Sequence, residues 1–315
     1  MDKIFTIVVV GPTASGKTSL GVELAKRFNG EVVSADSMQI YKEMQIATAK
    51  PTEDEMQGIP HHMIDFVSPD ENYSVALYKE EAMKIIEDIA SRGKTPVIVG
   101  GTGLYVNTLL ENIEFFDMES DDELRKELSE KAERLGVEAI YDELLRIDPE
   151  AAEKIHKNNV KKIIRALEVY YKTGRTITSQ VECSKEKGAV LEPVIIGLTA
   201  DDRQFLYDRI NLRVDLMVND GLIAEAERFY SIYGVKTANQ AIGYKEILPY
   251  LNGDEEQSDS LERLKMQTRR YAKRQLTWFR RNENVNWLSI DRYTKDELFE
   301  AAAEIAEKAQ SSENE

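Results

Sequence analysis

The sequence predicts an α/β fold, in which a parallel sheet core of the phosphate-loop NTPase type carries a helical insertion domain. The first observation is a run of apolar and β-branched residues, Ile4–Val10, that leads directly into a glycine-rich loop and an amphipathic helix. The second is that strand patterns recur near both ends of the chain, whereas between residues 117 and 187 only helical patterns follow one another. We therefore expect a core made of residues 1–116 and 188–315, with residues 117–187 as the insertion domain.

Further strands are predicted from short apolar runs bounded by glycine, proline or charged residues. They are Glu31–Ala35, Pro96–Val99, Glu192–Leu198 and Val285–Ile290. The predicted helices share apolar residues at a period near 3.6. They are the helix after the glycine-rich loop, Tyr73–Ser91, Leu104–Leu110, Asp121–Leu135, Val137–Ile147, a helix opened by Asp148-Pro149, Asn159–Lys172, Arg203–Val218, Leu222–Tyr230, Tyr244–Leu251, Ser260–Arg281 and a tail after Thr294. Residues 47–71 show neither pattern and are expected to form a loop.

The glycine-rich loop has the spacing G-x-x-x-x-G-K-[ST] of a phosphate-binding loop. Its residues are Gly11, Pro12, Thr13, Ala14, Ser15, Gly16, Lys17 and Thr18. The two glycines allow the sharp turn that brings backbone amides close to a ligand, and the helix that begins near Gly16 adds its N-terminus to the same anion site. Lys17 supplies positive charge for the terminal phosphates, and Thr18 supplies a hydroxyl to a Mg²⁺ ion bound to them. The loop predicts a phosphorylated ligand but does not specify its reaction.

The cysteine content and the lack of a signal-peptide pattern lead us to expect a cytoplasmic protein. The single cysteine, Cys183, excludes an intramolecular disulfide. The longest apolar run is the first strand, which is too short to span a bilayer and ends in the phosphate loop rather than in a signal-peptide cleavage site. We expect no membrane association and a monomer.

The formal net charge of −16 would by itself argue against a nucleic-acid partner. Positive charge is nevertheless concentrated in two segments. Residues 154–175 contain seven Lys/Arg and one acid, and residues 261–281 contain eight Lys/Arg and one acid. Although a charge run is often only a solvated helix face, two such runs in an acidic chain favour a local anionic partner.

Polar residues follow the second and third predicted strands, where open α/β sheets place their chemistry. Asp36 comes directly after the second strand, and the glycine-rich turn Gly100–Gly103 follows the third. From the residues alone, Asp36 is a candidate for chemistry because of this position, and its alternative roles are a cap for the residues after it or the partner of a metal-bound water. Thr102 is a candidate N-cap for the next helix, since threonine is a preferred cap.

Six motifs, in order along the chain, resemble those of the bacterial tRNA dimethylallyltransferase family. They are G-P-T-A-S-G-K-T, S-A-D-S-M-Q-I-Y-K, I-A-T-A-K-P, V-G-G-T-G-L-Y, R-A-L-E-V-Y and A-K-R-Q-L-T-W-F-R. The resemblance implies transfer of the dimethylallyl group of dimethylallyl pyrophosphate to the exocyclic amine of the adenosine 3′ of the tRNA anticodon. It further implies that the phosphate loop holds the pyrophosphate leaving group, together with Mg²⁺, rather than ATP.

The resemblance also implies roles for individual residues. Asp36 would accept a proton from the adenine amine, and Thr102 would help to place the target nucleotide. Arg203 and Arg209, on the helix after the fourth predicted strand, would complete the clamp on the pyrophosphate. The alternative for both arginines is surface pairing with nearby aspartates. Arg213 lies nearby on the same predicted helix and ranks below these two. The tRNA-binding residues implied are Asp36, Ser37, Met38, Gln39, Thr102, Lys161, Lys162, Arg165, Gln240, Gly243, Lys245, Arg270, Lys273, Arg274 and Arg280.

The long helix near the C-terminus carries two stripes of side chains at helical spacing. The basic stripe, which we expect to contact phosphates, is Arg263, Arg270, Arg274 and Arg281. The apolar stripe, which we expect to pack in the core, is Leu264, Tyr271 and Trp278. Elsewhere, Gln240 and Lys245 stand where arginines can occur in the family, so the resemblance implies weaker contacts at these two positions.

Three other functions share part of this pattern. A small-molecule kinase would have the phosphate loop and Asp36 but no evident use for two basic helical segments. An adenylate prenyltransferase acting on free nucleotide would share the core without needing the basic C-terminal helix. A non-catalytic RNA-binding module would not require Lys17, Thr18 and Asp36 to be intact together.

Overall fold

The chain forms two compact units, one made of Met1–Leu109 with Val190–Glu315 and the other of Leu110–Ala189. The first unit contains a six-stranded parallel sheet with helices packed against it, so the predicted α/β fold class is confirmed. The second unit is helical; it begins at Leu110, earlier than the predicted insertion, and its role in tRNA binding stays a prediction. The computed structural model describes residues 3–116, 118, 121–234 and 241–312.

The sheet places the segments after several strands at one edge. Its strands are β1 (Ile4–Val10), β2 (Gly30–Ser34), β3 (His61–His62), β4 (Thr95–Gly100), β5 (Leu191–Thr199) and β6 (Val285–Ser289). They run parallel in the order β3-β2-β4-β1-β5-β6. The central strand β1 is fully buried from Ile7 to Val10, as expected for a strand covered on both faces. Because the strands are parallel, the segments that follow β1, β2 and β4 leave the sheet at the same edge.

The helices of the described residues cover the sheet and build the second unit. They are α1 (Lys17–Arg27), α2 (Glu53–Met56), α3 (Val75–Ser91), α4 (Gly103–Leu110), α5 (Asp122–Leu135), α6 (Val137–Ile147), α7 (Pro149–Lys154), α8 (Val160–Thr173), α9 (Ile177–Lys187), α10 (Arg203–Asn219), α11 (Leu222–Tyr233), α12 (Tyr244–Leu251), α13 (Gln257–Phe279) and α14 (Lys295–Ser312). Helices α1 and α14 pack on one face of the sheet around Leu24, Ile196 and Ala302. Within the described ranges, none of the helices is both long and apolar enough to cross a membrane.

Helices α5 to α9 form the second unit, in which α5, α6, α7 and α8 bury apolar side chains in one cluster. Leu167 of α8 lies at the centre of the cluster that α5, α6 and α8 share. Beside it, the fully buried carboxylate of Glu168 accepts the backbone N–H of Asp121 at 2.9 Å. The same carboxylate pairs with Arg125 and Arg165, each at 2.9 Å. The two arginines compensate the buried charge, which would otherwise be strongly destabilising.

The structure departs from the prediction in two short elements and one longer helix. Strand β3 and helix α2 both lie within residues 47–71, where a loop was expected, and that expectation is wrong at these two elements. The two residues of β3 are too few to show a period, and they are held by pairing with β2, where Val32 lies opposite His61. Helix α2 is a single turn stabilised by a capping box between Thr52 and Glu55. Helix α9 was not predicted because its sequence is largely polar.

Candidate active site

The segments that follow β1, β2 and β4 meet at one edge of the sheet and contribute to the wall of a cavity of about 340 Å³ in the first unit. Backbone hydrogen bonds join two of these segments: the N–H of Ala35 donates to the carbonyl of Val99 at 2.8 Å, and the N–H of Thr102 donates to the carbonyl of Ala35 at 3.1 Å. Glycine is required at position 100 because a Cβ there would lie 2.2 Å from the carbonyl oxygen of Ala35. The remaining walls come from α10, α13, the loop before α2 and the segment around the start of α12.

The loop between β1 and α1 bends as an anion-binding turn must. Gly11, Ala14 and Gly16 have φ values of 146°, 62° and 94°. Gly11 also passes so close to β5 that a Cβ would lie 2.7 Å from the carbonyl oxygen of Leu198. These positions explain the two glycines of the sequence motif, one by close approach and both by backbone conformation. From this loop, the residues that line the cavity are Thr13, Lys17 and Thr18.

Lys17 and Arg213 of α10 are two of the four cationic side chains that line the cavity. Lys17 Nζ donates to the carbonyl of Pro12 at 2.7 Å, and the hydroxyl of Ser15 donates to the same carbonyl at 2.8 Å. Burial, followed by the charge of Arg213, lowers the pKa of Lys17 to about 7, although Asp36 opposes this shift. Burial also lowers the pKa of Arg213. Neither cation forms an ion pair within the described ranges, so both charges are available to a polyanionic ligand.

Asp36 has one carboxylate oxygen in use and one available. Its Oδ1 accepts the backbone N–H of Met38 at 2.9 Å and that of Gln39 at 3.4 Å. No hydrogen bond to Oδ2 occurs among the described residues, and Asp36 lines the cavity. The capping role and the acid–base role that the sequence leaves open are therefore compatible, because each uses a different oxygen.

Thr102 and Gln39 have polar groups that bind within the protein. The Thr102 hydroxyl accepts the backbone N–H of Ser37 at 3.0 Å and donates to the Ser37 hydroxyl at 3.2 Å. Gln39 Nε2 donates to the carbonyls of Thr48 and Ala49 at 3.2 and 3.1 Å. Both side chains therefore brace the segment after β2, and Gln39, unlike Thr102, also lines the cavity.

Gln275 of α13 joins the two glycine-rich turns and was given no individual role by the sequence analysis. Its Oε1 accepts the backbone N–H of Thr13 at 2.8 Å, and its Nε2 donates to the carbonyl of Gly101 at 3.0 Å. A Cβ at position 101 would lie 2.0 Å from Nε2, so a side chain there would displace Gln275 from this position. A signal was present in the sequence, because Gln275 lies three residues after Ala272 and four before Phe279, on the apolar period of a basic helix.

The arginines of α10 are arranged differently from the pair named in the sequence analysis. Arg209 Nε donates to the carbonyl of Ala14 at 2.8 Å and so supports the phosphate loop from outside the cavity. Arg203 is exposed and does not line the cavity, whereas Arg213 does. Arg209 and Arg213 are four residues apart and share one face of α10, whereas Arg203, six residues before Arg209, lies on a different face. The pyrophosphate-binding roles of Arg203 and Arg209 stay predictions.

The residues implied in tRNA binding fall into several groups. Those that line the cavity are Asp36, Ser37, Met38, Gln39, Lys245 and Arg274. Those exposed on α13 or at its C-cap are Arg270, Lys273 and Arg280. Lys161, Lys162 and Arg165 are exposed on α8 in the second unit, Gly243 is the N-cap of α12, and Gln240 lies outside the described residues. Their contacts with tRNA stay predictions.

The two stripes of α13 are only partly as expected. Arg263 is held within the protein, donating to the carboxylate of Glu255 and to the carbonyl of Glu246, both at 2.6 Å. Leu264 is buried in the core as expected, and both Leu264 and Tyr271 line the cavity. Trp278 packs against the turn before α4, where a Cβ at Gly103 would lie 2.2 Å from its ring.

The fold and the loop define a phosphate-loop protein whose cavity combines an anion site with a carboxylate. The sequence matches the family described as IPP transferase over residues 39–282, and the chain belongs to this family. The predicted family is thus confirmed, as is the prediction that the chain is an enzyme, a prenyl-group transferase.

Individual relatives match over nearly the whole chain. A tRNA dimethylallyltransferase of Acetivibrio thermocellus is 53% identical over 299 residues, which is 94% of this chain and 95% of the relative. The crystal structure of a tRNA isopentenylpyrophosphate transferase from Bacillus halodurans is 43% identical, with a TM-score of 0.73 and full coverage of both chains. A eukaryotic dimethylallyltransferase described as acting on tRNA is 34% identical, with a TM-score of 0.76 over 91% of this chain and 74% of that one.

Proposed function

We propose that this chain transfers the dimethylallyl group of dimethylallyl pyrophosphate to the exocyclic amine of the adenosine 3′ of the tRNA anticodon, releasing pyrophosphate, and does so in the cytoplasm. The observation that carries the proposal is that Lys17, Arg213 and Asp36 line one cavity. The transfer needs positive charge where pyrophosphate leaves and an acceptor where the amine loses its proton. The names of the relatives support the same substrates.

The reaction exchanges a C–O bond for a C–N bond. The amine nitrogen bonds to C1 of the dimethylallyl group, while the bond from C1 to the pyrophosphate oxygen breaks and its electron pair leaves with the pyrophosphate. Negative charge that develops on the leaving oxygen is stabilised by Lys17, Arg213 and the amides of the phosphate loop. The amine loses one proton, which Oδ2 of Asp36 accepts. Because Met38 and Gln39 hold Oδ1, the carboxylate is oriented before the substrate arrives.

The loop fits a Mg²⁺ ion bound mainly through the substrate. Thr18 lines the cavity beside Lys17, and its hydroxyl has no hydrogen-bond partner among the described residues. Within those residues there is no group of three or more His, Cys, Asp or Glu that could hold a metal. Mg²⁺ on a phosphorylated substrate commonly takes only one or two protein ligands, which is what Thr18 offers. When bound, Mg²⁺ would neutralise charge on the pyrophosphate oxygens.

We assign tRNA binding in the first unit to the exposed cations of α13. Arg270, Lys273 and Arg274 are exposed, and none of them forms an ion pair within the described ranges. Arg274 lies over the ring of Tyr271 at 5.7 Å, and both side chains line the cavity. Unpaired cations at the cavity suit RNA phosphates, and the target base would leave its stack to reach Asp36. All of these groups belong to one chain, so the proposed reaction requires only a monomer.

The proposal is tested by incubating the protein and Mg²⁺ with labelled dimethylallyl pyrophosphate and unmodified tRNA. We expect label in the tRNA and one pyrophosphate released for each group transferred. A tRNA with guanosine in place of the target adenosine is the matched control and should stay unlabelled. Transfer to free AMP but not to tRNA would favour the adenylate prenyltransferase, and a requirement for ATP hydrolysis would favour a kinase. Either result would overturn the proposal.

A further inference from the structure

A buried carboxylate on α11 is surrounded by donors from two distant segments. Glu225 is only 8% exposed. Its Oε2 accepts the backbone N–H groups of Gln45 and Ile46 at 3.0 and 2.8 Å. Its Oε1 accepts the N–H of Ala47 and the hydroxyl of Tyr244, both at 2.9 Å. Three consecutive amides around one anion form the kind of nest that elsewhere binds a ligand anion, but here the protein supplies the anion itself.

The two segments that Glu225 joins both line the cavity. The loop 45–49 contributes Ala47, Thr48 and Ala49, and the segment 241–245 contributes Ala241, Ile242 and Lys245. The two segments also pack together directly, since a Cβ at Gly243 would lie 3.3 Å from that of Ala47. The φ of Gly243 is 121°, a conformation that favours glycine. Glu225 therefore stabilises a junction between two cavity walls rather than an isolated turn.

The far end of the loop 45–49 is connected to Asp36. Gln39 holds the carbonyls of Thr48 and Ala49 with its side chain, while its own backbone N–H donates to Oδ1 of Asp36 at 3.4 Å. Hydrogen bonds, joined by short stretches of backbone, thus connect Glu225 through the loop to the carboxylate that accepts the amine proton. The phosphate loop is held by other side chains, Gln275 and Arg209, and shares no described hydrogen bond with Glu225.

We propose that Glu225 is a positioning residue for the transfer, which keeps the loop 45–49 against the segment 241–245 so that the acceptor base is held at Asp36. This inference rests on the proposed function of the cavity. Replacing the carboxylate with an amide keeps one acceptor oxygen but turns an NH2 donor toward two of the four buried donors, so those two lose their acceptor and the loop must rearrange. The acceptor end of the cavity then changes shape, whereas the phosphate end keeps its own supports.

The test compares the steady-state kinetics of Glu225→Gln and the wild type at a temperature well below the melting of both. We expect kcat/KM for tRNA to fall about 10²-fold, the cost of a displacement near 1 Å, while the KM for dimethylallyl pyrophosphate and the Kd for inorganic pyrophosphate stay within twofold. Glu225→Asp, which keeps the charge, should recover part of the loss. Tyr244→Phe removes one of the four donors and should lower kcat/KM for tRNA about tenfold.

Two controls separate positioning from general destabilisation. Glu227→Gln makes the same change at an exposed position of α11 and should behave as the wild type. Leu288→Ala truncates a buried residue of β6 outside the cavity, and it should lower the melting temperature without changing kcat/KM.

The kinetic and binding results for these variants decide whether Glu225 is a positioning residue. Wild-type kinetics in Glu225→Gln, or parallel loss of pyrophosphate binding and tRNA turnover, would overturn the inference. If Glu225→Gln does not fold, Tyr244→Phe carries the same test, and wild-type kinetics in that variant would overturn it. Failure of the wild type to label tRNA would instead refute the proposed function, so the two failures are distinguishable.

Discussion

The two ends of the cavity are built in different ways. The phosphate end is one run of eight residues, Gly11 to Thr18, whose backbone conformations produce the turn. The acceptor end is assembled from segments far apart in the chain, with Asp36–Gln39 and 45–49 meeting 241–245 and α13. Local conformation can be read from a motif, whereas the acceptor end depends on contacts such as Glu225 with Ala47. The comparison predicts that the two ends can be disabled separately.

The largest effect is expected at Asp36. Asp36→Asn keeps an oxygen for the N–H of Met38 but removes the proton acceptor, so the rate of transfer should fall by roughly 10²–10⁴. Single-turnover measurements give the rate, and calorimetry should show pyrophosphate binding unchanged. Asp208→Asn, on the exposed side of α10, is the matched control. Near-normal turnover in Asp36→Asn would remove this carboxylate from the chemistry.

The phosphate end is tested by two arginines of one helix. Arg213→Gln removes a cation from the cavity and should weaken pyrophosphate binding by about 1.5–3 kcal/mol, the range for hydrogen bonds to charged groups. For Arg203→Gln, the clamp implied by the resemblance predicts a similar loss, whereas the position of Arg203 outside the cavity wall predicts binding within twofold of the wild type. Equal losses of pyrophosphate affinity in both variants would show that Arg203 also contacts the bound ligand, although it does not line the cavity.

A smaller effect is expected at the phosphate end, where Lys17 should make the affinity for pyrophosphate depend on pH. Its pKa is about 7 in the free protein, and a bound polyanion should raise it. Binding of pyrophosphate above pH 7 should therefore take up close to one proton, and the affinity should fall relative to Lys17→Met as the pH rises. Calorimetry in buffers of different ionisation enthalpy measures this uptake. Equal proton uptake by the wild type and Lys17→Met would contradict it.

The same lowered pKa affects the stability of the free protein. The folded state releases the Lys17 proton near pH 7, whereas the unfolded chain keeps it to about 10.5. The unfolded state therefore binds more protons between these values, and this group makes the protein more stable as the pH rises through that interval. The melting temperature of the wild type minus that of Lys17→Met should therefore increase as the pH rises from about 7 toward 10.5.

The smallest effect is expected on the acceptor side, at the surface of α13. Replacing Arg270 and Arg274 with Ala should weaken tRNA binding and reduce its salt slope by about one for each phosphate that the protein no longer neutralises. Pyrophosphate affinity and melting temperature should not change, because neither arginine forms an ion pair within the described part of the chain. A lower melting temperature with an unchanged salt slope would assign these side chains to stability instead.

The sequence was most informative where a function depends on neighbours in the chain. The phosphate loop, the strand before it and the position of Asp36 all follow from short patterns, and the fold class they predict is confirmed. Strand β3 was not predicted because two residues are too few to show the alternation of a strand. Helix α2 was not predicted because a single capped turn resembles a loop in sequence.

The roles of Gln275 and Glu225 could not be assigned from one sequence. Gln275 bonds Thr13, and Glu225 bonds Ala47, across most of the chain. Glu225 looks in the sequence like an ordinary polar residue on an amphipathic helix. Gln275 lies on the apolar period of its helix, but only the fold shows which backbone groups it binds. Arg213 could have been ranked higher from the sequence alone. It lies four residues after Arg209 and so shares a helical face with it, which Arg203 does not.

The place of the second unit in the chain has a consequence for synthesis on the ribosome. The central strand β1 has two neighbours, and one of them, β5, pairs Leu191 with Ile4 across the whole of Leu110–Ala189. At about 5–20 residues per second, translation reaches β5 roughly 10–40 s after β1 has been made. During that interval one edge of β1, an apolar strand, remains unpaired while the helices of the second unit are completed. Nascent chains of this protein should therefore engage chaperones until β5 emerges.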